Sequence, residues 1–209
     1  VRTSIDASPV YERSAQQDLY TVQLERFDNV PFATSHELET LVAFDREPDE
    51  ILSLQTFVAP DNQSDQFISQ MTGRFVVSEA GEYRFALCSD DSAVLSIWPE
   101  EKPDQKQLLS RVDDWVDKNT WDQQPNQISE PIELTEGTAY ILEARHCDRS
   151  GKDHLAIAWQ KPDGRWQRPI GNNISEPAGT ATRTEMAVTR RALAATLRTG
   201  EVHRIKTVA

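Results

Sequence analysis

The chain has 209 residues, of which 38% are hydrophobic and 27% are charged, a balance typical of a folded, soluble domain rather than a disordered chain. Its net charge of −12 argues against nucleic acid or an anionic membrane surface as a partner, because both require clustered Lys and Arg side chains. No stretch approaches the roughly 20 consecutive apolar residues of a membrane-spanning helix, so we do not expect membrane insertion.

The first recognisable elements are short β-strands. The chain opens on Val1, as expected of a segment of a longer protein, and residues 1–19 carry no clear pattern. From residue 20 onward, short runs rich in alternating, β-branched or aromatic residues are separated by turns that contain Gly, Pro or Asp. Short strands without long intervening helices predict an all-β, antiparallel sandwich, which we place at residues 20–177. The strand-like runs are residues 20–27, 73–79, 81–88, 93–98, 138–147 and 154–160.

Residues 100–131 interrupt this pattern. The segment is polar, almost free of periodicity, and contains Trp115 and Trp121. We interpret it as a long polar excursion from the sandwich, held against the domain by these two rings rather than disordered.

The composition changes again in residues 178–209. An Ala- and Leu-rich run followed by Gly200 predicts a helix, and Lys and Arg outnumber Asp and Glu there. This basic C-terminal helix or linker either docks on an acidic surface or leads into the next domain of a longer protein.

Cys88 and Cys147 are the two cysteines of the chain, and each ends a strand-like run just before an acidic loop. A disulfide between them would tie the roots of the two loops together and would indicate an oxidising compartment. The alternative is a pair of buried free thiols, which behave as small hydrophobic side chains. Because the two contexts mirror each other, we predict the disulfide.

Asp90 and Asp91 lie side by side at the end of an otherwise apolar strand. Neighbouring carboxylates repel each other, so an uncompensated pair costs stability wherever water is partly excluded. A bound cation would offset this repulsion, and a non-proline cis peptide bond would let both carboxylates converge on it. The alternative is that the two residues cap the loop by accepting hydrogen bonds from backbone N–H groups.

Three blocks extend this observation: "RFVVSEAGEYRFALCSDDSAVLSI", "WDQQPNQISEPIELTEGTAYILEARH" and "DHLAIAWQKPDGRWQRPI". In this order they resemble the protective-antigen (PA-14) domain family, and the resemblance spans roughly residues 20–177. It implies a jelly-roll-type β-sandwich, which serves as a module of secreted or surface adhesins, glycosidases and toxins.

The resemblance also implies a metal site. In the sugar-binding branch of the family, a pair of aspartates holds calcium, and the calcium coordinates vicinal sugar hydroxyls. Asp90 and Asp91 match that pair. A second loop completes the site in relatives, and here it is "CDRSGKDH", from which we expect Asp148 and Asp153 to help bind the ion. This loop carries Lys152 where relatives are rich in glycine.

The expected function is therefore calcium-dependent carbohydrate binding by a non-catalytic module of an extracellular or cell-surface protein. Its partner would be a glycan, and Trp115 and Trp121 are the candidate residues for stacking against a sugar ring. The alternative is a structural or assembly module, without sugar binding, whose basic C-terminal helix contacts a partner subunit or another domain.

Overall fold

The computed structural model describes residues 21–62 and 64–171. The predictions for residues 1–19 and for the basic helix or linker at 178–209 lie outside this part of the chain. In the described residues, no helix is long and apolar enough to cross a membrane.

The described elements are the strands β1 (Thr21–Asp28), β2 (Glu50–Leu54), β3 (Phe67–Val76), β4 (Gly81–Asp90), β5 (Ala93–Pro99), β6 (Gln107–Val112), β7 (Ile132–Leu134), β8 (Ala139–Asp148), β9 (His154–Gln160) and β10 (Trp166–Gln167), the α-helix α1 (Ser35–Leu38), and two 3₁₀ segments at Val42–Asp45 and Pro103–Gln105.

These strands form two antiparallel sheets. The larger has the order β2-β1-β3-β8-β5-β6 and the smaller has the order β10-β9-β4-β7. Side chains from both sheets share one hydrophobic core, in which Trp159 of the smaller sheet lies edge-on to Phe75 of the larger sheet, with ring centroids 5.4 Å apart. The predicted antiparallel β-sandwich is therefore confirmed.

The sequence pattern predicted the interior strands and missed the edges. The six predicted runs correspond to β1, β3, β4, β5, β8 and β9, each of which has a hydrogen-bonded neighbour on both sides. The missed strands β2, β6, β7 and β10 are the outer strands of the two sheets. An outer strand pairs on one side only and keeps more polar, exposed side chains, so its apolar periodicity is weak. The polar excursion at 100–131 contains one of these outer strands, β6, which its weak periodicity did not predict.

A second, smaller apolar cluster covers the outer face of the six-stranded sheet. Side chains alternate between the two faces of a strand, so in β8 Ala144 points into the main core while Cys147 points to the opposite face. The helix α1 and the 3₁₀ turn after it cover this face. The buried members of the cluster are Phe27, Val30, Ala33, Leu38, Phe44, Ile68, Val94 and Cys147.

The predicted disulfide is wrong, because both cysteines are buried free thiols. Cys88 belongs to the main core and its thiol faces the backbone carbonyl of Asp117, in the loop that follows β6. Cys147 belongs to the second cluster, where its sulfur accepts a hydrogen bond from the backbone N–H of Ala33. The two side chains are packed against different loops, so the similar sequence contexts do not bring the sulfurs together.

Candidate functional site

Two connections cross between the sheets at the same end of the sandwich. One runs from β4 to β5 through Asp91 and Ser92, and the other runs from β8 to β9 through residues 149–153. Because β4 pairs with β9 and β5 pairs with β8, the two connections are forced to lie side by side. The register places Asp90 opposite His154 in one of these pairs.

Hydrogen bonds join the two connections. The Asp91 carboxylate accepts the backbone N–H of Arg149 at 2.8 Å, and the Asp91 carbonyl accepts the hydroxyl of Ser89 at 2.8 Å. The peptide bond between Asp90 and Asp91 is cis. The guanidinium of Arg149 lies over the ring of Phe32, 4.0 Å from its centroid. One carboxylate oxygen of Asp91 thus holds the loop between β8 and β9 by accepting a backbone N–H. This is the kind of hydrogen bond expected if the aspartate pair caps a loop.

Asp148 is buried with no exposed surface, and in the part of the chain that the structure describes no donor hydrogen-bonds to either of its carboxylate oxygens. The backbone amide of Gln66 favours the ionised form without reaching hydrogen-bond geometry. Burial, reinforced by the charges of Asp153 and Asp91, raises the pKa of Asp148 to about 7. A buried carboxylate without a partner is costly unless a positive charge compensates it.

The position of Asp148 follows from the strand that carries it. Asp148 ends β8, and the period of two places it on the same face as Ala144 in the main core. The inner face of β8 is therefore apolar in the middle of the sandwich and carries the Asp148 carboxylate at its end, beneath the two crossing connections. Burial also raises the pKa of Asp90 to about 6, with further contributions from Asp91 and Asp153. The four aspartates predicted as ligands thus form one electrostatically coupled cluster.

A cavity of about 800 Å³ opens above this cluster. Trp115, in the loop between β6 and β7, forms its wall and is 47% exposed. Its backbone pairs with that of Asp90 in an isolated β-bridge, which holds the ring beside the acidic cluster. The lining residues are Asp61, Asn62, Asp90, Asp91, Trp115, Val116, Asp117, Lys118, Ser150, Lys152, Asp153 and His154.

Trp121 does not lie at the cavity, where a ring that stacks on a sugar would be, but it does pack against the domain, as expected for the excursion. Its side chain is only 7% exposed, belongs to the main core and does not line the cavity. It therefore holds the loop between β6 and β7 against the sandwich, while Trp115 in the same loop stays accessible. The sequence contains two similar tryptophans, and only their neighbours in the fold distinguish them.

Several residues of the site were not predicted from the sequence. Lys118 and Asp61 form an ion pair that links the loop after β6 to the loop after β2 across the cavity. His154 is 7% exposed, and its Nε2 atom is buried without a hydrogen-bond partner among the described residues. Burial lowers the pKa of His154. The position of His154 near Asp90 could have been predicted from an antiparallel pairing of β9 with β4. Nothing local in the sequence indicates the Lys118–Asp61 pair.

With the geometry described, the chain can be compared with known proteins. The sequence profile of the PA14 domain matches residues 21–170. The chain belongs to the PA14 domain family. The resemblance seen in the sequence blocks is thereby confirmed.

Solved PA14 domains share the fold at low sequence identity. The PA14 sugar-binding domain from an RTX adhesin is 13% identical, with a TM-score of 0.55 over 74% of this chain and 99% of that one. The PA14 domain of the antifreeze protein MpAFP is 14% identical, with a TM-score of 0.52 over 81% of this chain and 93% of that one.

A similar sequence also occurs in a much larger protein. Fibrocystin from the dog, Canis lupus familiaris, is 30% identical over 112 residues, which cover 46% of this chain. The match spans only 3% of the length of fibrocystin.

Proposed function

We propose that this PA14 domain binds a glycan through a calcium ion, as a non-catalytic module of an extracellular or cell-surface protein. Asp90, Asp91, Asp148 and Asp153 would hold the ion. Calcium takes six to eight oxygen ligands, from carboxylates, carbonyls and water. In the described residues, no three His, Cys, Asp or Glu side chains already converge closely enough to hold a metal ion. Backbone carbonyls and hydroxyls of the bound sugar would therefore complete the coordination.

The observation that carries the proposal is the Asp148 side chain. Both of its oxygens are buried and have no hydrogen-bond partner within residues 21–62 and 64–171, and two further carboxylates raise its pKa. The four aspartates offer only oxygen atoms as ligands, and such negatively charged oxygen ligands favour a hard divalent cation over a soft one. The RTX adhesin domain that shares this fold is a sugar-binding domain, which supports a glycan as the ligand of such an ion.

The charge of the cavity favours a neutral glycan. Five carboxylates and two ammonium groups belong to the described residues that line it. One divalent cation would leave this lining with one net negative charge, which would repel a uronate or a sialylated sugar. The exposed ring of Trp115 offers an apolar face that suits the C–H face of a pyranose.

Two substitutions distinguish the residues that bind calcium from those that bind only the glycan. Calcium binding is measured by isothermal titration calorimetry, and glycan binding is measured on an array of neutral and acidic glycans with calcium or with chelator. Asp90→Asn should weaken calcium binding at least about tenfold and abolish glycan binding, because it removes a charged ligand. Trp115→Ala should leave calcium binding unchanged and weaken glycan binding about three- to tenfold.

Asp104→Asn is the matched control. Asp104 is exposed in the 3₁₀ turn that follows β5, at the end of that strand away from Asp91. It should change neither measurement. Glycan binding that persists in chelator, or that Asp90→Asn leaves intact, would contradict the proposal.

A further inference from the structure

His146 lies directly beneath the Asp90–Asp91 connection. It is 2% exposed, and its Nε2 atom is 2.8 Å from the backbone carbonyl oxygen of Asp90. The position follows from the register, since His146 in β8 is opposite Ala93 in β5 and opposite Ser69 in β3. His146 is also two residues before Asp148, so both side chains lie on the inner face of β8.

The hydrogen bonds of His146 determine its tautomer. A carbonyl oxygen can only accept, so the proton of the neutral ring must lie on Nε2. The Nδ1 atom is then the acceptor, and the hydroxyl of Ser69 is 3.4 Å away. The ring of Phe67 packs edge-on against the imidazole, with centroids 5.6 Å apart. The imidazole is thus fixed on both nitrogens and on its face.

We propose that His146 is a positioning residue for the calcium site, which holds the peptide group between Asp90 and Asp91 through its Nε2–H···O=C bond. This inference rests on the proposed function. The peptide group sets the directions in which the two carboxylates leave the backbone. A fixed peptide group reduces the conformational freedom lost when an ion binds, and partners that orient metal ligands typically contribute 10- to 100-fold to metal affinity.

The test compares two variants of the full chain by calorimetric titration with calcium chloride. His146→Phe keeps the aromatic packing but cannot donate, so calcium affinity should fall about 10- to 100-fold. His146→Gln places an amide N–H near the position of Nε2, so affinity should stay within about threefold of the wild type. Leu134→Ala is the control for lost stability, because Leu134 is buried in β7 beside the first residue of β4, far from Asp90 along that strand. It should lower the melting temperature and leave calcium affinity unchanged.

A second measurement uses the wild-type protein and does not depend on the folding of any variant. The ¹⁵N chemical shifts of His146 should show a proton on Nε2, and the Nε2 signal should move when calcium is added. Equal calcium affinity in His146→Phe and the wild type, or a proton on Nδ1, would overturn the inference. Absence of calcium binding in the wild type would instead contradict the proposed function.

Discussion

Lys152 places a positive charge beside the acidic cluster of the site. It is exposed, it lies in the connection between β8 and β9, and it lines the cavity. The pKa of Asp90 is raised by burial and by Asp91, and the Lys152 ammonium group opposes this rise. The same positive charge repels an incoming divalent cation. If the proposed function holds, Lys152 should therefore lower the calcium affinity that the four carboxylates would otherwise provide.

Lys152→Ala should raise the calcium affinity about two- to fivefold, because an exposed charge pair contributes roughly 0.2–1 kcal/mol. Calorimetric titration at low and at high ionic strength is the measurement, and added salt should reduce the gain. Lys102→Ala, an exposed site beyond the other end of β5, is the control. An unchanged or weaker affinity for Lys152→Ala would show that this ammonium group does not face the ion.

At the level of single residues, the sequence predicted the grouping of the four aspartates, whose role as metal ligands stays a prediction. The adjacent pair Asp90–Asp91 was recognisable because two neighbouring charges at the end of an apolar strand need compensation. Asp148 was expected at the site because its loop was expected there. Its complete burial depends on which face of β8 its side chain occupies. The sequence could not tell which of Trp115 and Trp121 stays exposed, because a tryptophan in an aperiodic loop has the same local signal whether it packs inward or lies at the surface.

The loop between β6 and β7 brings Trp115 to the cavity, and Gln127 gives this loop its shape. The Gln127 side chain has no exposed surface, and its Oε1 atom accepts the backbone N–H groups of Gln123 and Gln124, at 2.9 and 3.2 Å. Its backbone carbonyl accepts the N–H of Leu87 in β4 at 3.0 Å. One polar side chain thus replaces the hydrogen bonds that a regular element would supply. The tryptophans indicated that this segment is ordered, but its polar composition did not indicate that a buried glutamine supplies the hydrogen bonds.

Gln127→Met should lower the free energy of unfolding by about 2–3 kcal/mol, because it keeps the size of the side chain and leaves buried backbone groups without partners. Urea denaturation followed by tryptophan fluorescence measures the change. Gln105→Met, at an exposed position in the 3₁₀ turn after β5, should have no effect. Equal stability of Gln127→Met and the wild type would mean that the loop is held by its apolar contacts alone.

For the molecule as a whole, the acidic cluster couples stability to pH, and under the proposed function it would also couple stability to calcium. Asp90 and Asp148 have folded-state pKa values of about 6 and about 7, above the ordinary value of 3.8. The folded protein therefore binds these protons more tightly than the unfolded chain. Without calcium, the contribution of the two groups to stability is greatest below about pH 4 and decreases as the pH rises through about 6 to 7. Under the proposed function, calcium would bind the ionised carboxylates and should compensate their repulsion in the upper part of this range.

Calorimetric melting of resin-treated, calcium-depleted protein should therefore give a higher melting temperature at about pH 5 than at about pH 7.5, beyond any general effect of net charge. Asp148→Asn removes one of the two titrating groups and should flatten this dependence, whereas Asp104→Asn should preserve it. Calcium at 100 times its dissociation constant should add about 2.7 kcal/mol near neutral pH, and less at pH 5, where protons compete for the same oxygens. Equal pH dependence in Asp148→Asn and the wild type would contradict the burial of an ionisable Asp148. A calcium effect as large at pH 5 as at neutral pH would mean that the ion binds away from these carboxylates.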